Sequence, residues 1–187
     1  MTTSGSLSIT APYRCLLRGS GRGRRRPRGR RTRNFACAGE NDNLNNAIEA
    51  LCGRDASGFS GPPAPGAGAE LRRLAREEGT AVLDIAGLDY SSAAELADVR
   101  RDSIRIEPVN GSARAGGSSW QSLTRQTGTI EASFLNGEIV LLGRQHDVPT
   151  PVNETLQRLA NEAARERRPP GSMTAAQVLA AAGVRPA

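Results

Sequence analysis

Apolar residues in this 187-residue chain recur at the three- and four-residue spacings of a helix face, with no sustained alternation of the strand kind. A core built from such stripes must form between helices. Leu44, Ala47, Ile48 and Leu51 make one face closed by Gly53 as a helix stop. After the Pro/Gly connection GFSGPPAPGAGA, a second helix is expected over 69–86, with Leu71, Leu74, Ala75, Glu78, Val82 and Ile85 along it and Gly87 at its end. Ser92 can cap a short helix over 93–102, and the Pro, Asn-Gly and Gly-Gly content of 105–118 reads as an irregular loop. A brief helix is expected over 119–125. A longer one follows over 128–145, carrying Ile130, Phe134, Leu135, Ile139 and Leu142. Thr150 followed by Pro151 reads as an N-cap with Pro at the first helical position, before the stripe Val152, Leu156, Leu159, Ala160 and Ala163. Thr174 and Gln177 form a possible capping box for a last short helix ended by Gly183. The expected fold class is therefore all-α, with the 128–145 and 151–167 helices packed together.

Composition bounds where that core can begin. Residues 22–33 hold eight Arg among Gly and Pro, and residues 1–38 hold ten of the 25 basic residues but none of the 19 acidic ones. Such a block repels itself and has little apolar surface to bury, so 1–38 is expected to be a disordered Arg-rich arm. The remainder carries 15 basic residues against 19 acidic, a net charge of −4, so the strongly basic balance belongs to the arm. The expected division is an arm at 1–38, a helical domain at 39–170, and a short C-terminal helix and tail at 171–187. Residues 14–33 could hold nucleic acid by neutralising phosphates, but no aromatic interleaves the 22–33 run, which implies no base specificity.

Other chemistries find little support. All 25 basic residues are Arg, so no amine side chain is available for acid or base work. Cys15, Cys37 and Cys52 form no Cys-x-x-Cys pair and lie far in sequence from the one histidine, His146, so no metal site is expected. The longest apolar run is IVLL at 139–142, far short of the ~20 residues of a membrane span, and no secretory signal precedes it. A cytoplasmic location and no membrane partner are the expectations.

Four ordered segments carry a resemblance. They are Ser118-Ser119-Trp120-Gln121, then Thr129-Ile130-Glu131, then Leu135-Asn136-Gly137-Glu138-Ile139-Val140, then His146-x-Val148-Pro149-Thr150-Pro151-Val152-Asn153. Together they resemble the C-terminal helical domain of the ketopantoate reductases (2-dehydropantoate 2-reductases), and DNLNNAIEAL at 42–51 looks like that domain's opening helix. The resemblance spans about 42–170 and implies an all-α domain of the 6-phosphogluconate-dehydrogenase C-terminal-like kind. It also implies a two-domain enzyme that reduces ketopantoate to pantoate with NADPH, on the route to pantothenate and coenzyme A. By that resemblance Ser118 binds the substrate carboxylate, Glu131 anchors the substrate hydroxyl at the catalytic site, and Asn43 and Asn46 are substrate-binding amides.

The chain also departs from the family pattern. Where the general-acid Lys is expected it has Gly39, and where a further Asn is expected it has Ala115. Only 38 residues precede the helical domain, against ~150 for a dinucleotide-binding domain, and RGSGRGRRRP has no apolar strand before it. The expectation is a substrate-binding domain of a truncated reductase, inactive alone and without its own NADP site. Its partners would be a ketopantoate-like 2-oxo acid and either a separately encoded Rossmann-domain chain or a second copy in a homodimer. A nucleic-acid-associated protein acting through the arm is the alternative class. Each site residue also has an ordinary reading: Glu131 in a helix's first turn, Ser118 as an N-cap, Asn43 and Asn46 as helix-start residues, His146 at a helix C-terminus, and Trp120 in the core.

Overall fold

A computed structural model describes residues 42–53, 66–88, 90 and 116–184, and among these there is no strand. Six α-helices and one 3₁₀ turn carry the fold: α1 Asp42–Cys52, α2 Ala67–Ala86, α3 Ser118–Thr124, the turn Glu131–Ser133, α4 Asn136–Gln145, α5 Pro151–Arg165 and α6 Ala175–Ala181. The fold class is all-α. Residues 1–41, with Gly39 and the Arg-rich arm, lie outside the described residues, as do the 93–102 helix and Ala115.

Helix α1 is the central element. Leu44, Ala47, Ile48 and Leu51 are buried, but so are Glu49 and Ala50 on its other sides, because α1 lies against α2, α3 and α5. The stripe of α5 meets it: Val152, Leu156, Leu159, Ala160 and Ala163 all enter the main core with Ile48, Leu51, Leu71 and Leu123. Apolar area at these positions contributes on the order of 25 cal/mol per Å² removed from water. A smaller cluster of Leu44, Val82, Ile139 and Val148 fastens α2 to α4. At the C-terminal end, Gly171 and Met173 donate backbone N–H bonds to Ala50 and Leu51 carbonyls of α1. The Thr174–Gln177 capping box forms, and Ala175, Val178 and Leu179 of α6 join the same main core.

Four local expectations need correction. The helix expected over 128–145 is broken into the 3₁₀ turn and α4, with Phe134 and Leu135 between them. Phe134 accordingly leaves the apolar stripe and is 75 % exposed, since the break rotates it away from Ile139. On α2 the last turn buries Leu83 where Ile85 was expected, and Ile85 is 47 % exposed. Thr150 precedes Pro151 at the helix start but makes no side-chain cap. A carboxylate from α2 takes that role.

Candidate substrate site

The end of the irregular loop is seated on α1 by a carboxylate far away in sequence. Asn46 and Glu49 stand three residues apart, so they share a face of α1. The backbone N–H of Gly117 donates to Glu49 Oε2 at 2.9 Å. A Cβ on Gly117 would lie 2.9 Å from Asn46 Oδ1 and 2.9 Å from that same Glu49 oxygen, so no side chain fits there without displacing them. One residue earlier, Gly116 has φ +76 and lies under the Trp120 ring, where a Cβ would come within 2.5 Å of Cγ. Trp120 is thus half-buried over the turn and stands outside the apolar core clusters.

Gly117 is the N-cap of α3, which leaves Ser118 in the helix's first turn rather than in the capping position. Its hydroxyl donates to Glu131 Oε2 at 2.6 Å, a bond between two exposed side chains thirteen residues apart. Glu131 opens the 3₁₀ turn whose formation breaks the expected long helix, so the break itself places this carboxylate opposite Ser118. Asn46 is half-buried, and its amide has no hydrogen-bond partner among the described residues. An amide, a hydroxyl and a carboxylate together comprise both donors and acceptors, the inventory a small polar ligand needs. Asn43 lies in the first turn of α1, but its side chain is outside the described residues. Ser118 and Glu131 are therefore brought together, Asn46 lies against Gly117 one residue before Ser118, and Glu49 joins Asn46 there without having been anticipated.

A second polar cluster lies inside the protein. Glu78 of α2, 2 % exposed, accepts from the Val152 N–H at 2.8 Å and the Asn153 N–H at 2.9 Å, capping α5 from another helix. Asn153 Nδ2 also donates to Glu78 Oε2 and to the Ala75 carbonyl, and its Oδ1 accepts from Asn136 Nδ2 at 3.0 Å. Burial pushes the Glu78 carboxyl up to about 6, against the opposing pull of the Val152 and Asn153 donors. The cluster is closed to solvent and knits α2, α4 and α5 together. Asn136 and Asn153, two residues of the segments that carry the resemblance, therefore act inside the fold.

Two further residues bear on chemistry. Burial pushes the Cys52 thiol up to about 12, so it behaves as a small apolar residue. His146 follows α4 and is exposed. Among the described residues no three His, Cys, Asp or Glu side chains cluster as metal ligands, and no helix is long and apolar enough to cross a membrane.

The described residues thus form an all-α domain that carries an exposed hydroxyl–carboxylate pair and a sealed polar cluster. More particularly, residues 43–164 match the family model described as the ketopantoate reductase PanE/ApbA C terminal, and the chain belongs to that family. No curated protein and no solved structure matches it significantly.

Proposed function

We propose that this chain is the substrate-binding helical domain of a 2-dehydropantoate 2-reductase, taking a ketopantoate-like 2-oxo acid or its hydroxy-acid product. The observation that carries this reading is the Ser118–Glu131 bond at 2.6 Å, next in sequence to Gly117, against which Asn46 packs, all within the family-matched residues. In the role proposed, Ser118 turns its hydroxyl to the ligand carboxylate, Glu131 accepts from the ligand hydroxyl, and Asn43 and Asn46 are the substrate-binding amides that the family resemblance implies. NADPH is the hydride donor of the complete enzyme. In this reading the 187 residues bind the acid but do not reduce it unaided, because their sequence contains no Lys to serve as general acid and no Gly-x-Gly-x-x-Gly pattern.

Titrating isotopically labelled protein with pantoate and following backbone amides tests this. Shifts are expected at Gly117, Ser118 and Glu131, with α6 unperturbed and no NADPH oxidation in the presence of ketopantoate. Silence at all three amides at saturating pantoate sinks the substrate-site reading, and steady turnover sinks the statement of inactivity.

A further inference from the structure

We propose that Glu49 is a positioning residue of this site: its carboxylate seats the Gly116–Gly117 turn on α1 and so fixes where Ser118 stands relative to Asn46 and Glu131. This role rests on the substrate-site reading above and adds to it a residue that the family resemblance did not supply.

Glu49 is 1 % exposed, lies between Ile48 and Ala50, and has no basic partner among the described residues. A buried carboxylate is costly unless its oxygens are bonded. Only Oε2 is, by the Gly117 N–H, while Oε1 is buried without a partner. An apolar side chain would suit this position better if stability were all that mattered. What Glu49 provides is an acceptor at one point, directly beneath the residue that precedes Ser118.

The space at Gly117 supports the same conclusion. Its φ of −73 and ψ of 179 are open to any residue, so the backbone does not require glycine there. What requires it is proximity, since a Cβ would press on Asn46 Oδ1 and Glu49 Oε2 together. The turn is therefore held down by an attraction at Glu49 and by the absence of a side chain at 117. Ser118 follows directly and reaches Glu131 from that anchored point.

The test compares Glu49→Met, which removes the acceptor while keeping the volume, with Glu49→Gln, whose carbonyl can still take the Gly117 N–H. Pantoate affinity, thermal unfolding and exchange of the Gly117 amide are measured for both. Glu49→Met is expected to fold, to lose protection at Gly117, and to bind pantoate roughly tenfold more weakly, as for one lost directing hydrogen bond. Glu49→Gln is expected to restore protection and to bind within about twofold of the parent. Unchanged Gly117 exchange and unchanged affinity in Glu49→Met would overturn the proposal.

If the parent protein binds no pantoate, the substrate reading fails on its own. Positioning is then decided by Gly117 exchange and by whether the Ser118 hydroxyl signal still reports its bond to Glu131. Should Glu49→Met not fold, Gly117→Ala keeps the α1 sequence intact while its Cβ presses the turn away from Glu49 Oε2, and it is expected to weaken binding similarly. Full affinity in that variant also overturns the proposal.

Discussion

Two acidic side chains in this protein each take up backbone N–H groups at the start of a distant helix, yet their surroundings differ. Glu78 accepts from both Val152 and Asn153, is joined by the Asn153 side chain, and sits in a network that continues to Asn136. Glu49 accepts a single bond from Gly117 and leaves its other oxygen unpartnered. In the first arrangement both carboxylate oxygens are bonded and only Asn136 Oδ1, at the far end of the network, is left without a partner, so the cluster holds three helices in register. The second bonds one carboxylate oxygen only, to the residue that precedes exposed Ser118. The contrast teaches that two equally buried carboxylates can differ in how many bonds they complete, and that the difference is where the proposed roles of Glu78 and Glu49 part.

The largest effect that can break this contrast is expected at Asn153. Asn153→Ala removes bonds to Asn136, Ala75 and Glu78 at once, and leaves buried groups without partners. A loss of about 3 kcal/mol in chemical denaturation is expected, given ~1 kcal/mol per bond with added desolvation costs. A loss below half of that would show the network to be less important than its bonds suggest.

Next in size is the pH dependence from Glu78. Its carboxyl has an ordinary value of 4.5 and is raised to about 6 in the fold, so the folded chain binds the proton more tightly than the unfolded chain. Stability from this group is full below about pH 4.5 and is lost as pH rises through about 6, amounting to about 2 kcal/mol. Denaturation midpoints measured from pH 4.5 to 7 should fall accordingly, and Glu78→Gln should flatten that slope. A slope that survives in Glu78→Gln assigns the titration elsewhere.

Much of the fold was legible because it depends on helix periodicity, and periodicity is local. The α5 stripe, Pro151 at its start, the α6 capping box and the stops near Gly53 and Gly87 all follow from residues within a few positions. The break at Phe134–Leu135 was not legible, since Ile130, Ile139 and Leu142 keep helical spacing across it. What decides the break is tertiary: Ile130 and Ala132 turn into the main core while Ile139 goes to the smaller cluster with Val82. Within the candidate site, Ser118, Glu131 and Asn46 are proposed from their motif, whereas Glu49 could not be named from composition. One signal was available, a Glu three residues after Asn46 and flanked by buried-type residues on the motif's own helix. Glu78 carried a similar signal, as the acidic member of the apolar stripe on α2. In both cases the missing information was the distant N–H that the carboxylate meets, which only packing reveals.

The smallest stability effect is expected where the functional effect is proposed to be large, and this sharpens the contrast most. Ser118 and Glu131 are exposed, and their bond of 2.6 Å competes with water at both ends. Ser118→Ala and Glu131→Gln should each change folding stability by no more than about 0.5 kcal/mol, the range of ordinary surface substitutions. Pantoate affinity in the same variants should fall by roughly tenfold, the consequence of one lost directing hydrogen bond of about 1.4 kcal/mol. If instead either variant loses stability on the scale of Asn153→Ala while binding is unaffected, the Ser118–Glu131 pair is a brace for the 3₁₀ turn. Measured side by side, the two variants separate a pair that binds from a pair that only holds α3 against the start of the 3₁₀ turn, because the first outcome spares the fold and the second spares the ligand.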